Sequence, residues 1–195
     1  MSSSEPDTRV RILKATWALL EQAPGAPTRM SDIAKEAGIS RQAVYLHFPN
    51  RAELLIATTK HLDEVYGIDK QIEEARASGG ARAALDGFVE VWGSYIPRIY
   101  PVAKALLAIR ATDEAAALAW QDRMDAVRAI CSEIVALLHA SGDLSADLDR
   151  DIAVDLLWTL VSIRTWEQLT VESGWSEEQY QAHIRRLLHS SITAS

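Results

Sequence analysis

The sequence predicts an all-α protein of about nine helices, with a small N-terminal head on a larger helical body. Three observations predict it. Apolar residues recur at spacings of three and four, as in Val10, Leu13, Trp17 and Leu20 and again in Val127, Ile130, Ile134, Leu137 and Leu138. The period-two alternation of a half-buried strand is almost absent. Helix-stopping residues punctuate the chain at helical lengths: Pro24-Gly25-Ala26-Pro27, Gly38, Pro49, Ser78-Gly79-Gly80, Gly142 and Gly174.

Taken in order, the first helix is expected from about Thr8 to Ala23, its stripe widened by Ile12 and Leu19. A short second helix spans roughly Met30 to Ala37, with Thr28 as its cap. Ser40 is a good N-cap for a third, from Arg41 to Phe48. Asn50 and Glu53 are spaced as a capping box and open a fourth helix running to about Arg76. The segment from Ala81 to about Ile96 carries Leu85, Phe88, Val89 and Trp92. Pro97 and Pro101 then bracket a kink, followed by a short helix to about Arg110. Thr112 or Asp113 caps a long helix to about Ala140. Asp147, Asp149 and Asp151 suit the positive end of the next. That helix includes the uncharged run Leu156–Ile163 and ends at Gly174, and Ser176 with Gln179 is a second capping box opening the last.

With 195 residues, 48% of them hydrophobic, the chain can bury a sizeable core. No apolar run has the length of a membrane span. Residues 1–7 lack the basic and apolar regions of a secretory signal and read as a flexible tail. The lone Cys131 cannot form an intramolecular disulfide, which fits a reducing cytoplasm. Charge is uneven. The first 60 residues hold eight Lys/Arg against six Asp/Glu, a net +2, so the remainder carries −9 of the total −7. An acidic body would be repelled by phosphates and would turn the head toward them.

The segment Thr28 to Phe48 makes physical sense as a helix-turn-helix. Ala34 is small enough for a close helix crossing, Gly38 sits where the chain must turn through positive φ, and Ile33, Ile39 and Val44 pack the angle against the first helix. The second helix of the pair then exposes Arg41, Gln42, Tyr45 and His47. Arginine forks onto guanine, glutamine onto adenine, and both lie in the first turn, which reaches base edges in such motifs. Tyr45, His47 and Arg51 carry donors suited to phosphate oxygens. A solvated surface charge at Arg41 and a packing role for His47 are the plainer alternatives, and Phe48 reads as core.

The pattern Ile33-Ala34-x-x-x-Gly38-Ile39-Ser40-x-x-x-Val44-Tyr45-x-His47-Phe48-x-x-Arg51-x-x-Leu54-Leu55, preceded by Ile12-Leu13-x-Ala15 and Gly25, resembles the TetR family of bacterial transcriptional regulators over about residues 9–56. The resemblance implies a head over residues 8–56 and a ligand-binding and dimerisation body over 57–195. It implies a homodimer on a pseudo-palindromic double-stranded operator, usually repressing, and released by a small molecule. It places Arg41, Gln42 and Tyr45 at base-facing positions and Tyr45, His47 and Arg51 at backbone-contacting ones. Arg29 stands where the family often has Thr or Ser and adds a candidate phosphate contact. Arg51 replaces the commoner Lys.

In the body, aromatic residues are either core or the lining of a pocket for an apolar or aromatic effector. The candidates are Trp92, Tyr95, Tyr100, Ile109 and Trp120, with Met124, Ile163 and Trp166. Arg110 is placed to meet an anionic group, and Arg164 is expected to pair with Asp155 or Glu167. Following the resemblance, Leu156, Leu160, Ile184, Leu187 and Leu188 are assigned to a dimer interface across a two-fold axis. An enzyme is not expected: there is no P-loop, dinucleotide fingerprint, HExxH or nucleophile elbow. His61, His139, His183 and His189 lack ligand spacing, so neither metal nor cofactor is expected. The competing reading is a helical adaptor that binds protein through a vestigial head.

Overall fold

The computed structural model describes residues 5–23, 25–77 and 79–194; of the expected tail 1–7, residues 1–4 lie outside them, and residues 5–7 are not tail but the start of the first helix. Ten α-helices follow one another: α1 Glu5–Gln22, α2 Met30–Glu36, α3 Arg41–His47, α4 Arg51–Tyr66, α5 Ile68–Ala77, α6 Ala81–Ile109, α7 Glu114–Ser141, α8 Arg150–Leu160, α9 Ile163–Trp166 and α10 Glu177–Ile192. A wider π-turn, Glu167–Glu172, continues from α9. Among the described residues there is no strand, only an isolated bridge between Leu144 and Thr193. The all-α prediction stands.

The chain packs as two units. One comprises the chain up to Val65 together with Ile99–Met124, the other Tyr66–Arg98 together with Asp125 onward. The first unit holds the expected head and more: the remainder of α4, the end of α6 and the start of α7.

Three boundaries differ from expectation. The fourth helix does not run to Arg76, because Gly67, at φ 62, ends it and starts α5. Pro97 and Pro101 do not break α6, which is continuous for 29 residues. Each proline removes one ladder hydrogen bond. The buried stripe Trp92, Ile96, Ala103 and Leu106, with half-buried Ile99 between, keeps helical spacing on both sides, so packing outweighs the loss. The apolar run 156–163 is two helices. Val161 leaves helical geometry, and the Ser162 hydroxyl caps α9 by accepting from Thr165 N at 3.1 Å.

Three further helix starts are capped by side chains. Asp113 Oδ1 accepts from Ala116 N (3.1 Å), Asp149 Oδ1 from Asp151 N (2.8 Å), and Ser176 with Gln179 makes a complete capping box. At Asn50 the side-chain carbonyl accepts from Glu53 N (2.9 Å), but the Glu53 carboxylate accepts from the Asn50 side-chain amide (2.8 Å).

In the second unit Phe88, Trp92 and Tyr95 stack along α6 at centroid spacings of 6.1 and 5.7 Å, and the Trp92 indole N–H donates to Val161 O at 2.8 Å. α5 and α6 approach closely at Gly87, where a Cβ would lie 2.8 Å from that of Ala75. Gly87→Ala should therefore overpack this crossing and lower unfolding free energy by about 1–3 kcal/mol, measured by urea denaturation.

Candidate nucleic-acid interface

The head is built around one apolar cluster: Ile12, Leu13 and Ala15 of α1, Met30, Ile33 and Ala34 of α2, Val44 of α3, then Phe48 and Leu54. Ile39 packs against it from the turn. The turn closes as the sequence suggests. Gly38 has φ 65, and Ile39 N donates back to Ala34 O at 3.0 Å. α1 adds a polar brace: Arg11 donates to Ala37 O (2.6 Å), and Arg9 donates to His47 O (3.4 Å) while its guanidinium lies 4.3 Å from the Phe48 ring centre. Two of the head's cations thus serve the exposed C-terminal carbonyls of α2 and α3.

α2 begins differently from expectation. Arg29, not Thr28, is the cap residue, and it makes no side-chain cap bond. Thr28 is buried one position too early to reach the free amides. The Arg29 side chain is exposed.

α3 is capped by Ser40, whose hydroxyl accepts from Ala43 N at 3.1 Å, and is pinned by Val44, fully buried. Arg41, Gln42 and Tyr45 are exposed; His47 is half-buried and Phe48 is core. Arg41 donates to the Tyr45 hydroxyl at 3.2 Å and its guanidinium sits 5.5 Å from the ring centre. That hydrogen bond pushes the guanidinium pKa up. The structure adds Leu46, 82% exposed on the same helix, which sequence reasoning passed over as an apolar residue inside an expected helix.

Arg51 is not free. It pairs with Asp113, partly buried, across 62 positions of sequence. Lys60 pairs with Asp122 at 3.2 Å, and Arg123 with Asp63. The first two pairs share one offset, so α4 and the start of α7 run side by side in the same direction. Burial opposes ionisation of Asp113, but the Arg51 guanidinium and the Ala116 amide outweigh it and hold the carboxyl below its ordinary range.

The expected pocket residues fall into two groups. Trp92, Tyr95, Ile163 and Trp166 are buried in one unit. Ile109 and Trp120, buried, with Tyr100, Arg110 and Met124, half-buried, belong to the other. Arg110 lies over the Trp120 ring at 5.5 Å. An open groove of about 450 Å³ lies elsewhere, lined by Asp69, Ile72, Glu73, Arg76, Ile130 and Leu137 among others. Two of the dimer candidates are corrected. Ile184 and Leu188 are fully buried within the chain, on the face of α10 that packs against its own core. Leu187 is 44% exposed, and Leu156 and Leu160 are half-buried. Asp155 pairs with Arg128 at 2.7 Å rather than with Arg164, which is exposed.

Residues 12–58 match the family model described as "Bacterial regulatory proteins, tetR family". Over this segment, the head, the chain matches the TetR family. The chain is 36% identical to the nucleoid occlusion factor SlmA of Marinomonas sp. over 64 residues, 33% of this chain and 32% of that protein. It is 31% identical to the HTH-type transcriptional regulator EthR of Mycobacterium tuberculosis over 129 residues, 62% of this chain and 56% of that one. These matches span from about a third to a little over half of the curated relatives' length. The transcriptional regulator FadR of Bacillus subtilis, solved with stearoyl-CoA, shares the fold at TM-score 0.74 and 19% identity, over 94% of this chain and 98% of that one.

Two outcomes are expected of the family head. Ser40→Ala should cost about 1 kcal/mol, the usual worth of an N-cap, read from a denaturation midpoint. Asp113 has a depressed pKa, so its contribution is complete above the unfolded carboxylate value of about 3.9 and is lost as pH falls through the lower folded value. A series of Tm values on acidification should therefore fall less steeply for Asp113→Asn than for the unaltered chain.

Proposed function

We propose that this chain is a DNA-binding transcriptional regulator that reads a pseudo-palindromic operator as a homodimer, represses from it, and is released when a small apolar or aromatic molecule binds the helical body. The observation that carries the reading is the exposure of Arg41, Gln42 and Tyr45 on a capped helix whose inner face is locked by Val44. Those side chains match what the major groove offers: guanine O6 and N7 to arginine, adenine N6 and N7 to glutamine. Tyr45, His47, Arg51 and Arg29 supply phosphate contacts in this reading. Arg51 has donors beyond the one directed at Asp113, so ion pair and phosphate can be served together.

Half-buried Leu156 and Leu160 and exposed Leu187, with exposed Ile152 nearby on α8, supply the apolar strip a two-fold contact needs. The effector would act by binding one head spacing better than the other; equal affinity for both would shift nothing. Likeness to the nucleoid occlusion factor covers only about a third of the chain, so it does not carry that protein's activity over.

The test is selection of bound sequences from random duplex DNA, followed by titration in salt. Enrichment of a two-fold-related sequence is expected, with log K falling in log salt at about −0.9 per phosphate touched. Binding that is flat in salt would favour the protein adaptor. On the selected operator, Arg41→Ala should cost about 1–3 kcal/mol and relax preference at one base pair. Arg51→Ala should weaken all duplexes about equally and also lower Tm, because Asp113 loses its partner. Equal, sequence-blind losses from both variants would remove Arg41 from base reading.

A further inference from the structure

Leu46 has no structural reason to be leucine. It is 82% exposed, more than any other large hydrophobic side chain among the described residues; Val171 follows at 54% and Ile152 at 52%. Its place on α3 is specific. Successive helical residues are rotated by about 100°, so residues two before and two after a given position lie nearly opposite it. Relative to Val44, which faces the core, those residues are Gln42 and Leu46. They form the outermost ridge of the helix, one turn apart, while Arg41 and Tyr45 occupy the flank and engage each other.

An aliphatic side chain on that ridge cannot bond a phosphate or a base edge. The one apolar feature of the major groove is the C5 methyl group of thymine; 5-methylcytosine carries the same group at the same place. We infer that Leu46 is a specificity-determining residue that packs on a pyrimidine C5 methyl in the major groove, beside the base pair read by Gln42. The inference rests on the proposed DNA-reading role of α3. Four residues of helix rise about 6 Å, so the methyl lies within about two base steps of the Gln42 contact at 3.4 Å per step.

The experiment uses the full chain and the operator obtained by selection. Each thymine is replaced singly by uracil, which deletes only the methyl, and each cytosine singly by 5-methylcytosine. Dissociation constants are measured for the unaltered protein and for Leu46→Ala, whose Tm should be unchanged. At one thymine per half-site, uracil should weaken the unaltered protein about fourfold, the factor equivalent to ~0.8 kcal/mol for one buried carbon. It should leave Leu46→Ala unaffected. A cytosine whose methylation strengthens only the unaltered protein would assign the contact to modified cytosine instead. The inference is overturned if no single methyl matters, or if Leu46→Ala keeps the full methyl sensitivity, which would pass the contact to Tyr45. A selection that enriches no sequence would instead sink the DNA-reading role itself, and this inference with it.

Discussion

A helix of seven residues has almost no stability of its own. Everything α3 presents to the outside therefore depends on what holds it from within: Val44 and Phe48 packed against Ile12, Ile33 and Leu54. The polar additions point the same way. Ser40 satisfies the first turn, Arg9 satisfies a carbonyl at the last, and Arg11 closes the end of α2 beside it. In the proposed reading, a side chain meets a base edge within a fraction of an ångström, which needs a backbone this constrained.

The same bonds change how the head's charge should be counted. Arg9 and Arg11 are occupied by backbone carbonyls, and Arg51 and Lys60 by carboxylates of α7. The exposed cations without those duties are Lys14, Arg29, Lys35 and Arg41. Net charge over the first 60 residues thus overstates what is ready to meet phosphates. A fully exposed ion pair contributes only about 0–1 kcal/mol; Asp113, ahead of α7, and Asp122 within it are part-buried. Their common offset sets the register between α4 and α7 within one packing unit.

What was legible in the sequence was local. Gly38, Ser40, Val44 and Phe48 were each readable because the signal and its structural consequence lie within a turn of one another. So were Asp149, Ser176 and Gln179. Gly67 was missed because a single glycine between helical residues is weak evidence for a break. The continuity of α6 was written in the spacing of Trp92, Ile96, Ile99, Ala103 and Leu106, but two prolines masked it. The Arg51–Asp113 pair joins residues 62 apart, and no local rule reaches that far. Ile184 and Leu188 were apolar at the right spacing for either of two faces of α10. Only packing tells which face turns inward. Leu46 was not singled out, because nothing in the spacing marks an apolar residue as exposed; its 82% exposure is visible only in the structure.

Burial of Ile184 and Leu188 inside their own chain has a consequence for assembly. A terminal helix whose greasy side is already covered needs no second copy to complete its fold. Folding and self-association would then be separate equilibria. For the homodimer proposed above, dilution would part the copies and leave each intact, and a lone protomer would survive with only one head to offer.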